Sequence, residues 1–139
     1  MYPKDNAESW QQIHELIKDA YPDDGVWPQW KKMARDFISE LEAHGLAEHF
    51  RIGQSHSTIV FSTLEHHQLG WKPRVMLEFD PRKKTVRIAY SCRFLVYGPP
   101  ITEETFPISA GIPNTLRYLR HLWAETKSTE SLPKALDIA

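Results

Sequence analysis

Seven histidines in 139 residues are the first place to look for chemistry, because imidazole both ligates metals and exchanges protons near neutral pH. His14-Glu15-Leu16-Ile17-Lys18 sits in a helical pattern, but Lys18 occupies the position where a zinc peptidase carries its second histidine. His66 and His67 are adjacent, and neighbouring side chains of an extended chain point apart. A metal shared between them would need a turn and a third ligand such as His56 or Glu65. A polar surface loop accounts for the same residues more simply, so no metal site is assigned. His44, near the end of a helical pattern, is read as a residue that complements the helix dipole.

The nucleophiles give no stronger signal. Cys92 is the single cysteine, and its alternation with Tyr90 and Phe94 puts it on an apolar face, where burial raises a thiol's pKa and favours a structural role. Ser55-His56-Ser57 lacks the Gly-x-Ser-x-Gly elbow of a serine hydrolase. The six glycines are scattered, and none forms a phosphate-cradling G-x-G-x-x-G. Asp23-Asp24 and Glu103-Glu104 are paired carboxylates, yet acid–base work needs a desolvated or coupled carboxyl group. Both pairs read as solvated loop charge. No catalytic residue and no cofactor is therefore assigned.

Cations carry more information. Arg74, Arg87 and Arg93 alternate onto one face of a long ribbon, with Lys72 and the turn residues Arg82, Lys83 and Lys84 close by. Guanidinium forks suit carboxylate and phosphate partners. A cross-strand charge pair contributes only about 0.2–1 kcal/mol, so stability alone does not demand so many arginines. Arg74, Arg87 and Arg93, with the loop aromatic Trp71, are the candidate partner-binding set. The competing site is a small-ligand pocket between the 64–73 loop and the 98–111 segment, lined by His66, His67 and Glu103.

The element that must position the arginines is a hairpin over residues 74–94. Val75, Leu77 and Phe79 alternate with Arg74, Met76 and Glu78, and Asp80-Pro81-Arg82-Lys83 supplies turn chemistry. If Asp80 faces Thr85, then Phe79 meets Val86, Leu77 meets Ile88, Val75 meets Tyr90, and Glu78 lies opposite Arg87. Every pair agrees on which face is apolar, and a one-residue slip would destroy that agreement.

Upstream, residues 5–20 predict a helix with Asp5 and Glu8 as a capping-box variant and a stripe of Trp10, Ile13, Leu16, Ile17 and Ala20. A second helix opens at Pro28, carries Trp30, Met33, Ala34, Phe37, Ile38 and Leu41, and ends at His44-Gly45-Leu46. Strands are expected over 47–52 and 57–63, joined by Gly53-Gln54-Ser55-His56. Gly98-Pro99-Pro100 ends the long hairpin, and an irregular run leads to Gly111. A third helix from Pro113 carries Leu116, Leu119, Leu122 and Trp123.

These elements predict an α+β, two-layer sandwich: a four-stranded antiparallel meander with two N-terminal helices and one C-terminal helix on one face. Residues 1–126 are read as one domain, and 127–139 as a polar tail with Leu132, Leu136 and Ile138 as a docking segment. Residues 1–69 carry 6 basic against 11 acidic side chains, and residues 70–139 carry 11 against 7. The net charge of −1 argues against a nucleic-acid binder. No apolar run approaches the roughly 20 residues of a membrane helix. One cysteine and an N-terminus without an apolar leader point to a cytoplasmic setting. The function expected is a non-catalytic module of the adaptor, immunity or chaperone type that binds another protein through its arginine-rich sheet face. The alternative is an enzyme or ligand binder using the 64–73 and 98–111 pocket. Oligomeric state cannot be read from these patterns.

Overall fold

The structure, a computed structural model, describes residues 5–19, 22–55, 57–63, 73–91, 102–127 and 129–136. Helices α1 (Asn6–Asp19), α2 (Trp27–Ala43) and α3 (Gly111–Thr126) accompany strands β1 (Arg51–Ser55), β2 (Thr58–Ser62), β3 (Arg74–Asp80), β4 (Thr85–Ser91) and β5 (Thr102–Pro107). The strands form one sheet in the order β1-β2-β3-β4-β5, each antiparallel to the next. The α+β meander is therefore five-stranded, one strand more than the sequence pattern indicated.

The extra strand is β5, where an irregular run was expected. Thr102, Glu103, Glu104 and Thr105 are all exposed, so the strand has no apolar alternation to reveal it. Charged residues and Pro107 on such an edge also discourage pairing with another chain. The chain enters β1 later than expected, because Leu46–Glu48 is a 3-10 turn. Gly53, Gln54 and Ser55 belong to β1 instead of forming the joint between strands.

The central hairpin adopts the anticipated register: Asp80↔Thr85, Phe79↔Val86, Glu78↔Arg87, Leu77↔Ile88 and Val75↔Tyr90. Val75, Leu77, Val86 and Ile88 are fully buried, and all three helices cover that face. Trp10, Ile13 and Ile17 bring α1 against β1, and the Trp10 indole donates to the Phe50 carbonyl at 2.8 Å. The backbone N–H of Ile52 donates to the Ser9 hydroxyl at 3.1 Å, which fixes the β1 edge beneath α1. From α2, Trp30 and Phe37 pack edge-on against Phe79, with centroids 6.3 and 5.2 Å apart. Leu116, Leu119, Leu122 and Trp123 bury α3, Trp123 meeting Phe50 at 5.8 Å.

Caps follow the sequence. Asp5 Oδ1 accepts the Glu8 N–H at 2.8 Å, meeting a donor that the first helical turn leaves unpaired. Gly45 closes α2 at φ +87°, a left-handed conformation that suits glycine. In the tail, Leu136 sits in a 3-10 turn (Lys134–Leu136) and is fully buried. Leu132 is exposed, and Ile138 lies outside the described residues.

Candidate functional site

Arg87 stands on β4, on the face of the sheet opposite the three described helices. Its guanidinium is paired with Glu78 at 3.3 Å on β3 and with Glu103 on β5. Glu78 in turn accepts from the Thr58 hydroxyl at 3.3 Å. Thr58, Glu78, Arg87 and Glu103 thus make one polar chain across four strands. Two carboxylates engage the single charge of Arg87, so this group ties strands together. Glu103 belongs to the same chain on the sheet edge. It is exposed on a strand and not in a loop, and the His66 and His67 of the expected pocket lie outside the described residues.

Arg74 was expected on a water-facing surface, and the structure corrects this. It is only 3 % exposed, and Arg51 is not exposed at all. Arg51 pairs with Ser62, and Arg74 with Ser91. The β2–β3 ladder runs from Phe61↔Val75 towards Ser62 and Arg74, so the four residues form one row across the sheet. Both arginines are partnered, as buried charge requires. Val60 and Ala89, on the same face, are buried too. Alternation tells which face a side chain takes, not whether that face meets water, and this is why Arg74 was misread. Arg93, Trp71, His66, His67 and Cys92 lie outside the described residues.

Glu104 and Tyr118 form a pair that sequence reasoning missed, because they lie 14 positions apart on different elements. The Glu104 carboxylate accepts from the Tyr118 hydroxyl at 2.9 Å and from Arg117 at 3.1 Å. The Tyr118 bond, then the Arg117 bond, hold the Glu104 carboxyl below its ordinary pKa. Burial, then donation to Glu104, pushes the Tyr118 phenol up. An ionised carboxylate and a protonated phenol are each stabilised in the form they already hold at neutral pH. The pair is a clamp between β5 and α3.

Three exposed cations collect at the β3–β4 turn. Asp80 Oδ1 accepts the N–H groups of Arg82 and Lys83 at 3.0 and 3.1 Å, and Lys84 closes the turn at φ +54°. Asp80 is thereby committed to the backbone, while Arg82, Lys83 and Lys84 are exposed. None of the three makes an ion pair among the described residues.

Two hollows flank this turn. One, of about 540 Å³, is lined by Trp27, Trp30, Phe79, Arg82, Lys83 and the Glu78–Arg87 pair, among others. Trp27 is half-buried there and meets Trp30 edge-on at 5.7 Å. The other, of about 630 Å³, runs between α2 and the turn over Met33, Phe37, Pro81 and Ile108. The sequence showed the cations of the turn. It read Met33 and Phe37 only as core, because a helical stripe cannot reveal where its flank emerges beside a distant turn.

Among the described residues, no three histidine, cysteine or acidic side chains gather where they could hold a metal ion. Nor is any helix of the described residues long and apolar enough to cross a membrane. No protein-family model, curated protein or solved structure matches this chain. What defines the molecule is its own geometry: an α+β sandwich with a cationic turn set between two hollows.

Proposed function

We propose that this chain is a non-catalytic module that binds another protein, and that its contact surface is the β3–β4 turn with the Trp27 hollow beside it. The observation that carries this reading is the pairing of exposed cations at Arg82 and Lys83, which make no ion pair among the described residues, with a half-buried tryptophan beside them. Tryptophan and arginine are enriched among residues that dominate binding energy, and they act best where an apolar contact is ringed by polar groups. Complementary charge at the rim speeds encounter and rejects wrong partners. The partner's surface would present carboxylates around one apolar side chain. A cytoplasmic setting belongs to the same proposal and rests on the single cysteine of the chain.

The proposal is tested by capture from the extract of the source cell, using wild type, Trp27→Ala and Lys83→Glu. One protein, identified by mass spectrometry, should be retained by wild type and lost by both variants, while circular dichroism remains that of the folded chain. Retention of the same protein by all three would contradict the reading.

A further inference from the structure

The second hollow, on the α2 side of the turn, has a charge arrangement of its own. Its α2 wall is formed by Gln29, Lys32, Met33, Asp36, Phe37 and Glu40. Their spacing is that of one stripe along a helix, so the trough follows α2 for roughly 16 Å at 1.5 Å per residue. Met33 and Phe37 meet Pro81 and Ile108 along the floor. On the α2 rim Asp36 is held by Lys32 at 3.4 Å and by Arg35 at 3.8 Å, which leaves Glu40 as the acidic group of that rim without an ion pair among the described residues. Across the floor, Arg82 and Lys84 make the turn rim basic. Asp36, Glu40, Arg82 and Lys84 are all exposed.

A patch with acid along one side, base along the other and an apolar midline is its own complement under a two-fold rotation. Turned by 180°, the acidic rim of one copy lies over the basic rim of the other, and the reverse contact forms at the same time. We infer that this trough is a self-association surface, in which two copies face each other about a two-fold axis running along the trough, so that the two α2 helices run parallel and each lies over the turn rim of the other. Asp36 and Glu40 of each then face Arg82 and Lys84 of the other, over Met33, Phe37, Pro81 and Ile108. The trough shares Pro81 and Arg82 with the Trp27 hollow, so a second copy and a different protein bound at the turn would compete for Arg82. A second copy meets both rims at once with residues this chain already carries. A trough of this length falls at the small end of specific interfaces, so the dimer is expected to be weak, with a dissociation constant on the order of micromolar.

The test is sedimentation equilibrium of the full chain over concentrations up to roughly 200 μM, a range that brackets such a constant. Wild type should approach twice its 16.2 kDa mass, and the association should weaken as salt is raised. Two charge-reversed chains decide the geometry: Asp36→Lys with Glu40→Lys, and Arg82→Glu with Lys84→Glu. Each alone should dimerise about tenfold or more weakly than wild type, since like charges now meet. An equimolar mixture of the two should regain the doubled mass. Wild type that stays monomeric throughout would overturn the inference, as would single variants that dimerise like wild type. The salt series reads the wild-type chain alone, so a variant that does not fold still leaves a decisive measurement.

Discussion

Gly111 and Phe37 are in direct apposition: a methyl group at Gly111 would stand 2.5 Å from the Phe37 ring and 2.9 Å from Val86. This contact lets α3 start beside α2 above the β4 strand, and it sets the ring that floors the α2 trough. Alanine at a helical position is favoured over glycine by about 1 kcal/mol, but overpacking a filled core costs about 1–3 kcal/mol. Gly111→Ala is therefore expected to be net destabilising, read as a lower urea midpoint at unchanged slope. A midpoint at or above wild type would show that Phe37 yields without cost.

The inner face of the hairpin holds the sandwich together. Leu77 and Ile88 are opposite one another and fully buried, so Leu77→Ala or Ile88→Ala should each cost about 2–5 kcal/mol in equilibrium unfolding. Because the two side chains are cross-strand neighbours in the same core, the double variant should cost less than the sum of the singles. Strict additivity would argue against their pairing.

Arg87 is partly exposed, and solvent screens its two ion pairs. Arg87→Ala should accordingly lower stability by only about 1 kcal/mol. Arg87→Glu places a third carboxylate among Glu78 and Glu103 and should cost more, with part of the loss recovered in high salt. Equal losses for the two variants would remove the polar chain from the account.

The Glu104–Tyr118 clamp gives a pH signature with two limbs. Glu104 has a folded pKa below its ordinary value. Its contribution is present above the unfolded value and lost as pH falls through the folded one. Tyr118 has a folded pKa above its ordinary value. Its contribution is present below the unfolded value and lost as pH rises through the folded one. The stability gap between wild type and Tyr118→Phe should thus be widest at neutral pH, narrowing below the ordinary glutamate range and above the ordinary tyrosine range. Chemical unfolding across that pH series checks it, and a gap that does not vary with pH would refute the clamp.

How much of this was legible in the chain depends on what each residue contacts. Leu77 and Ile88 advertised their partners, because a half-buried ribbon repeats every two residues and only one register satisfies every pair. Phe37 and Leu41 did the same for α2 at helical spacing. Thr102 to Thr105 showed nothing, since an exposed edge strand needs no apolar face. Arg74 pointed to the correct face of the sheet but not to its burial, because coverage depends on elements distant in sequence. Arg51 gave no sign at all of its place beside Ser62. The Trp27 hollow and the α2 trough are products of packing: the Pro81–Lys84 turn had to arrive beside α2 before either surface existed.

The central claim is that Arg82, Lys83 and the Trp27 hollow meet another protein. Quantitative acylation of lysines in cell extract, compared with the purified chain at equal concentration, reads this directly. Lys83 should react more slowly in extract, while the exposed Lys134 reacts at the same rate in both. Equal rates at Lys83 in extract and in purified protein would contradict the claim.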